Sequence, residues 1–351
     1  SRSLKEICKD IEIVISKKNF PYKFRSTDFI STIGILNEFL ELRKLVKKYV
    51  DDFDIINFHN FPANWVGFNI NKPVVWYCNE VPDLVNNPHP SLLLRLLRFL
   101  GIIIDKYVVR NYIDRICVAD EINANIVRKR YGLESKIIPY GINSDIYAPK
   151  LIHNRSEFLK KYKIEIPDKD LILIQVGVIS PQKNQIESVK VLKKLRDYGY
   201  KANLIFVGKN DVPYKNIIDN LIFEYKLENN VFYTGMLSKL ETVNFYNIAD
   251  VGLYPIKEQG GWLAPFEMML CGKPVIVSST MGSSSLIKKH DFAMVSNDFC
   301  SDIIKFMTNY EVYKNKAQVS SIWIKEKLTW ENFAKNMLDV MKEAIINFKR
   351  G

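Results

Sequence analysis

Short apolar runs alternate with longer amphipathic stretches along most of the chain, and this alternation predicts the secondary structure. The apolar runs are rich in Ile, Val, Phe and Tyr, a composition typical of strands. A first series of runs lies at 12–16, 54–58, 73–78, 115–119 and 136–140. A second series lies at 171–177, 203–208, 230–235, 251–255 and 274–278. We expect a strand at each of them.

The segments between the runs of the second series have the pattern of helices, at 184–197, 214–226 and 238–248. Continuous β-branched runs separated by helices predict parallel strands that are buried on both faces. Two such series in one chain predict two doubly wound α/β domains. A length of 351 residues also favours two domains over a single core.

A polar, proline-containing stretch near 145–170 separates the two series. We therefore expect an N-terminal domain over 1–150 and a second domain over 151–330. Residues 331–351 have apolar positions at helical spacing, which predicts a C-terminal helix that packs back toward the first domain. The first domain lacks an opening strand and glycine-rich turn after Ser1, and the sequence leaves open whether these lie upstream.

The net charge of +11 is compatible with an anionic small molecule, an acidic membrane surface or nucleic acid as partner. No RNP sequence, zinc-finger spacing or basic arm is present, so we do not expect nucleic-acid binding. The five cysteines are scattered without a CxxC pair, which favours a reducing cytoplasm and argues against structural zinc. His59 and His89 have no partners at metal-ligand spacing, and we expect no metal site.

The apolar run at 91–104 contains Arg95 and Arg98 and allows two interpretations. It fits a helix of the core, and it alternatively has the composition of a helix that lies in a membrane interface with its arginines toward lipid phosphates. No uninterrupted apolar stretch approaches the roughly 20 residues that a membrane span needs. The basic net charge makes peripheral contact with an anionic membrane a reasonable expectation.

Lys183 lies in a turn between a predicted strand and a predicted helix. Asn184 and Glu187 have the spacing of an N-cap residue and its capping box. A lysine just before a helix is electrostatically unfavourable, because the helix N-terminus already carries partial positive charge. An anion at this point would reverse that balance, since lysine and free backbone amides together bind phosphate. The alternative is a solvated surface lysine.

A second candidate loop lies in the sequence KEQGGWLAPFEMMLCGKPVIVSS, residues 257–279. Pro265 suits a first helical position, so we expect 260–264 to form the loop that enters the helix. Gly260 and Gly261 would let backbone amides approach a ligand closely. Glu267 would then lie in the first turn, where it either complements the helix dipole or contacts a ligand. Both loops would follow the carboxyl ends of strands, where open α/β sheets bind ligands.

This second segment resembles the signature of the retaining glycosyltransferases of family 4, a glycosyl transferases group 1 family with the GT-B fold. The family pattern is a Glu, seven residues, a second Glu, a short helix and G-x-P-V-I. Gln259, preceded by Glu258, takes the first position, Glu267 takes the second, and CGKPVIVS follows. VGVISPQKN at 176–184 also resembles a family loop. WYCNEVPDLV at 76–85 is similar to a sequence stretch of the mannosyltransferases of lipid-linked oligosaccharide assembly.

The resemblance implies two Rossmann-like domains that face each other across a cleft. It implies transfer of a hexose of the mannose or glucose type, with retention, from a GDP- or UDP-sugar to a glycan or a lipid-linked acceptor. It also implies that no metal or other cofactor is required. The expected location is the cytoplasm, with possible contact to the inner face of a membrane.

The resemblance also assigns roles to residues. Lys183 would bind the donor diphosphate, Glu267 the ribose hydroxyls, and Gln259, with Glu258, the donor sugar. Asn79 stands where the family often has a histidine that touches the sugar. The catalytic residues implied are Lys183, Glu267, Gln259 and Asn79. The donor-binding residues implied are Gly177, Lys183, Gly235, Met236, Leu237, Glu258, Gln259, Gly260, Gly261, Trp262, Leu263, Ala264 and Glu267.

The chain also departs from the family pattern at Val178, Gln259 and Trp262. Val178 replaces a phosphate-binding arginine, Gln259 carries no charge, and Trp262 stands where the family usually has glycine. These departures leave open an alternative function, in which the protein is a catalytically inactive GT-B homologue that acts as a binding or scaffold subunit.

Overall fold

The computed structural model describes residues 29–81, 92–258 and 260–349. The chain forms two compact units. The first unit contains the described residues up to Cys117 together with Val127–Ser135 and the described residues from Val340 onward. The second unit contains Val118–Ile126 and Lys136–Asp339. The predicted domain boundaries at 1–150, 151–330 and 331–351 stay predictions, as do the roles predicted for these domains.

The first sheet has four strands in the order β1-β2-β3-β4. Its strands are β1 (Ile56–His59), β2 (Val74–Cys78), β3 (Arg115–Val118) and β4 (Lys136–Ile137). β1 and β2 pair in parallel, with Ile56 opposite Val74. Every residue of β2 is fully buried, as a continuous apolar run predicts. The helices in this part of the chain are α1 (Phe29–Tyr49), α2 (Leu92–Tyr112) and α3 (Glu121–Tyr131).

The second sheet has six strands in the order β10-β9-β8-β5-β6-β7. Its strands are β5 (Leu171–Val176), β6 (Ala202–Val207), β7 (Val231–Gly235), β8 (Val251–Tyr254), β9 (Val275–Ser278) and β10 (Met294–Ser296). All adjacent strands pair in parallel. The sheet is buried on both faces because helices cover it, which explains why nearly all of its residues are apolar.

The helices of this second half follow the strands in alternation. They are α4 (Arg155–Lys160), α5 (Gln185–Asp197), α6 (Val212–Glu224), α7 (Lys239–Ile248), α8 (Leu263–Leu270), α9 (Ser284–Lys289), α10 (Phe299–Thr308), α11 (Tyr310–Lys327) and α12 (Trp330–Ile346). The predicted helices at 184–197, 214–226 and 238–248 correspond to α5, α6 and α7. The terminal helix α12 buries Met337, Val340 and Ala344, which lie on one face.

Nine of the ten predicted strands are present within the described residues, and the run at 12–16 lies outside them. The hydrophobic pattern does not predict β10, which is only three residues long and ends in serine. Cys78, Cys117 and Cys271 are buried free thiols, and Cys300 is half-buried. In the part of the chain that the structure describes, no helix is long and apolar enough to cross a membrane.

The apolar run at 91–104 enters helix α2, but its described apolar side chains are not in the core. Leu96, Phe99, Leu100, Ile103 and Ile104 are all strongly exposed. The interpretation of this run as a core helix is therefore wrong for these residues. The core contacts of α2 come instead from its C-terminal half, at Val108 and Val109.

Candidate functional site

The order of the second sheet has a switch point at the carboxyl ends of β5 and β8. These strands are neighbours, but the chain continues from β5 toward β6 and from β8 toward β9, on opposite sides. Open α/β sheets bind ligands at such a switch point, because the following loops diverge and leave space between them. The Lys183 loop follows β5 and the glycine loop follows β8. The topology thus brings together two segments that are some 80 residues apart in sequence.

Hydrogen bonds join these two loops directly. The backbone N–H of Lys257 donates to the carbonyl of Gln182 at 3.0 Å. The side-chain amide of Gln182 donates to the carbonyl of Glu258 at 3.4 Å. The loops therefore form one surface at the end of the sheet.

The Lys183 side chain lies between two glycines. A Cβ placed on Gly177 would be 3.8 Å from Lys183 Cε, and a Cβ on Gly261 would be 3.4 Å from Lys183 Nζ. Gly261 has a φ of +86°, and the same added Cβ would meet Ile256 Cδ1 at 1.9 Å. Only glycine fits there, and its absent side chain leaves the ammonium group beside exposed backbone.

The loops that follow β5 and β6 also approach each other closely. A Cβ on Gly208 would lie 2.0 Å from the Gly177 carbonyl oxygen, so these two backbones are in contact. The N–H of Gly208 donates to the Gly235 carbonyl at 2.9 Å. Beyond Gly235, Met236 is highly exposed and Leu237 is half-buried against the core. The structure thus brings the predicted base-binding segment to the same end of the sheet as Gly177.

Two buried glutamines fix the shape of the Lys183 loop. Gln175 donates to the Lys183 carbonyl at 2.7 Å and accepts from the Ser188 hydroxyl at 2.7 Å. Gln185 donates to the Val178 carbonyl at 3.0 Å. These amides satisfy loop groups that would otherwise be buried without partners. The pattern of apolar and polar positions does not predict this role, because it does not distinguish a buried glutamine from an exposed one.

The predicted capping box at Asn184 and Glu187 is wrong. Asn184 is the N-cap residue of α5, but it adopts a left-handed conformation (φ 55°, ψ 46°) and its side chain makes no capping hydrogen bond. The backbone N–H of Glu187 donates to the Asn184 carbonyl instead. The loop enters the helix through a tight turn, which the side-chain pattern alone does not reveal.

Helix α8 begins at Leu263, two residues earlier than predicted. Trp262 is its N-cap residue, and Leu263 and Ala264 belong to its first turn. Pro265 is the third helical residue, a position whose missing N–H has no intrahelical acceptor. Glu267 consequently lies in the second turn, not the first. The simple dipole explanation for Glu267 is weakened, because that effect fades beyond the first turn.

The side chain of Trp262 is buried and packs against aromatic residues. It is only 6% exposed. Its ring packs against Tyr140 at a centroid distance of 5.3 Å and against Phe266 at 4.9 Å. Its indole N–H has no hydrogen-bond partner among the described residues. We expect the contribution of Trp262 to a ligand to come through its backbone, as the resemblance implies.

Glu267 is held by tyrosine hydroxyls. The hydroxyl of Tyr246 donates to Glu267 Oε2 at 3.0 Å, and the hydroxyl of Tyr147 also bonds this carboxylate. Burial raises the pKa of Glu267 above its usual value, and the hydrogen bonds from Tyr147 and Tyr246 act in the opposite direction. A carboxylate oxygen fixed in this way remains a strong acceptor for a hydroxyl group of a ligand.

The remaining predicted residues are distributed as follows. Glu258 is exposed and Gly260 is half-buried, whereas Gln259 lies outside the described residues. Asn79 belongs to the first unit, where its side chain donates to the Asn60 side chain. Val178 is 51% exposed at the place where the resemblance expects an arginine. Among the described residues, no group of three His, Cys, Asp or Glu side chains could hold a metal ion.

A parallel sheet with phosphate-suited loops at its switch point is typical of nucleotide-binding α/β proteins. Comparison with known proteins narrows this class, because residues 156–320 match the family model described as glycosyl transferases group 1. The matched residues, just under half of the chain, include both candidate loops. The predicted resemblance to the glycosyl transferases group 1 family is confirmed.

Curated relatives are about a quarter identical to this chain over the aligned residues. The α-monoglucosyldiacylglycerol synthase of Streptococcus pneumoniae is 24% identical over 82% of this chain and 65% of its own length. The lipopolysaccharide 1,2-N-acetylglucosaminetransferase of Salmonella typhimurium is 25% identical over 59% of this chain and 56% of its own length. The chain thus spans less than two thirds of each of these relatives.

Solved structures show the same fold. Sucrose-phosphate synthase from Thermosynechococcus elongatus superimposes with a TM-score of 0.71 at 17% identity, covering 90% of this chain and 79% of that one. HepE from Anabaena, solved with UDP-glucose, gives a TM-score of 0.70 at 15% identity, covering 86% and 82%. The predicted GT-B fold with two parallel α/β domains is confirmed.

Proposed function

We propose that this protein transfers a hexose of the mannose or glucose type from a GDP- or UDP-sugar to a glycan or lipid-linked acceptor, with retention at the anomeric carbon. The observation that carries the proposal is the position of the Lys183 ammonium group, 3.4 Å from a Cβ placed on Gly261, at the switch point of the second sheet. Relatives named α-monoglucosyldiacylglycerol synthase and GDP-mannose-dependent alpha-(1-6)-phosphatidylinositol dimannoside mannosyltransferase support the substrate class.

In this proposal the donor diphosphate lies between the two loops. Lys183 neutralises its charge, and the free N–H groups at the start of α8, around Trp262 and Leu263, cap its oxygens. Glu267 accepts hydrogen bonds from the ribose hydroxyls. The segment from Gly235 to Leu237 lines the base. Gln259, with Glu258, contacts the donor sugar, and Asn79 takes the role of the family's sugar-touching histidine.

The chemistry is charge stabilisation at the leaving group. The acceptor oxygen forms the new bond to the anomeric carbon while the bond from that carbon to the diphosphate breaks. The acceptor proton passes to the departing phosphate oxygen, on the same face of the sugar. Lys183 and the α8 amides stabilise the developing negative charge, which is the largest contribution in many enzymes. The proposal requires no metal, because these groups take the place of a divalent cation.

The test combines donor binding with turnover. A panel of nucleotide-sugars should include one that raises the melting temperature, since a specific ligand stabilises the folded state by mass action. With that donor, we expect Lys183→Ala and Glu267→Ala each to reduce transfer at least tenfold, equivalent to about 1.4 kcal/mol in the barrier.

The matched control for the lysine is Lys190→Ala, because Lys190 is an exposed lysine on α5. We expect wild-type transfer from this control. Wild-type rates in both site variants would refute the proposal. Stabilisation by a donor without any turnover, across several acceptors, would instead support the alternative of a binding or scaffold subunit.

A further inference from the structure

Helix α2 carries a row of exposed apolar side chains that we call the apolar stripe. Its members are each between 45% and 58% exposed, and they are Leu96, Phe99, Leu100, Ile103, Ile104 and Tyr107. They follow the i, i+3, i+4, i+7 spacing that places residues on one face of a helix. Single exposed apolar residues are ordinary on protein surfaces, but a contiguous row of this size marks an interaction surface.

The opposite face of α2 is anchored in the first unit. Asp105 is fully buried, and its carboxylate accepts hydrogen bonds from the Trp65 indole at 2.8 Å and the Tyr131 hydroxyl at 2.7 Å. It also forms an ion pair with Arg130 at 2.8 Å. These contacts fix the rotation of the helix about its axis. The stripe therefore faces outward because of the packing of α2, and a small rotation cannot bury it.

The charge of α2 is complementary to an anionic surface. Its sequence LLLRLLRFLGIIIDKYVVRNY contains a single carboxylate, and that carboxylate is the buried Asp105. Arg95 is exposed near the start of the stripe, and Arg110, whose Nε donates to the Tyr131 carbonyl at 2.6 Å, is also exposed beyond its end. The exposed part of the described helix thus presents apolar side chains with basic residues at both ends, the pattern of helices that lie in a lipid headgroup region.

We propose that the apolar stripe of α2 docks this protein onto the surface of an anionic lipid bilayer, with the helix lying in the plane of the interface. Phe99 and the other stripe side chains would enter the boundary between headgroups and acyl chains, and Arg95 and Arg110 would face lipid phosphates. Pairing of two copies through this face would bring the same basic residues of both helices together, which disfavours a dimer. The proposal concerns the first unit and does not depend on the proposed sugar transfer.

The test measures vesicle binding by a double variant and a matched control. The variant combines Phe99→Glu with Ile103→Glu on the stripe. The control combines Phe223→Glu with Ile217→Glu on α6, two residues that are 73% and 55% exposed. Both proteins change the same residue types and lower the net charge by the same amount, so only the location differs. Because all four side chains are exposed, we expect both proteins to keep the wild-type melting temperature.

Co-sedimentation with vesicles of phosphatidylglycerol and phosphatidylcholine gives the partition coefficient. We expect the wild type and the control to bind alike, the stripe variant to bind at least tenfold more weakly, and all three to bind poorly to pure phosphatidylcholine. The proposal is overturned if the wild type does not bind, if both variants lose binding equally, or if neutral vesicles bind as well as anionic ones. It is also overturned if light scattering shows a dimer that the stripe variant dissociates.

Discussion

Glu267 shows how single residues at this site depend on neighbours from other elements. Its carboxylate is bonded by Tyr246 of α7 and by Tyr147, which lies in the turn before α4. The sequence identified Glu267 through its spacing in a motif, but it gave no reason to single out the tyrosines. Aromatic residues at helical spacing usually indicate a core, and both rings are indeed buried. Their hydroxyl groups became relevant only through the tertiary contacts.

Tyr246→Phe should raise the KM for the donor about tenfold, because it removes a hydrogen bond to a charged group, worth about 1.5–3 kcal/mol, from the residue proposed to hold the ribose. The ring and its packing are retained, so we expect a smaller effect on stability. Steady-state kinetics with varied donor measures the change. Tyr162→Phe is the matched control, because Tyr162 also donates to a glutamate, Glu241, at 3.2 Å. An equal rise in KM for both variants would contradict a specific role for Tyr246.

The raised pKa of Glu267 predicts a pH dependence of stability. Burial disfavours the charged form, so the folded state binds a proton more tightly than the unfolded state, in which the glutamate pKa has its usual value of 4.5. The charged carboxylate therefore destabilises the fold as the pH rises above about 4.5 and through the folded pKa. Relative to Glu267→Gln, the wild type should lose unfolding free energy over that range. Urea denaturation of both proteins from pH 4 to 8 checks this, and a constant difference would refute it.

At the level of elements, the hydrophobic pattern located nearly every strand but not the geometry of the turns between them. The run at 171–177 became β5, yet the turn after it is fixed by the buried amides of Gln175 and Gln185. The position of Pro265 predicts the start of α8 two residues too late, because proline is tolerated throughout the first turn of a helix. Turn geometry depends on backbone conformation and on buried polar partners, and neither is encoded in apolar periodicity.

Gln185→Leu should loosen the Lys183 loop while leaving helix α5 in place. The change leaves the Val178 carbonyl and the Ser180 N–H without the partners that Gln185 provides, which costs about 1–3 kcal/mol of stability. We also expect weaker donor binding, measured by calorimetry. Gln318→Leu, at an exposed position of α11, makes the same chemical change and should alter neither quantity. Unchanged donor affinity in Gln185→Leu would show that the loop does not need this support.

At the level of the whole molecule, the two units contain different candidate functional features. The second unit contains the matched domain, the switch point and almost all of the predicted donor-binding residues. The first unit contains Asn79 and the apolar stripe. The predicted fold class and the resemblance to glycosyl transferases group 1 are confirmed, whereas the assigned roles of individual residues, the donor and the acceptor stay predictions.

A nucleoside diphosphate should protect one end of the second sheet from hydrogen exchange. With UDP or GDP at about 100 times its dissociation constant, the folded state gains about 2.7 kcal/mol. We expect exchange to slow at least tenfold at 177–184 and 260–264, where the ligand would cover backbone amides. Helix α10, whose residues have no proposed ligand contact, serves as the internal reference. Protection spread evenly over α10 and the two loops would contradict a local site.

The sequence by itself determined the alternation of strands and helices, the parallel α/β class, and the two loops that could hold a diphosphate. It could do so because burial on both faces of a sheet requires long apolar runs, and because glycine and lysine are chemically distinctive. Only the tertiary structure decided that these loops meet, that tyrosine hydroxyls hold Glu267, and that an apolar row of α2 faces outward. Those properties depend on strand order and helix rotation, which arise from contacts between residues far apart in the chain.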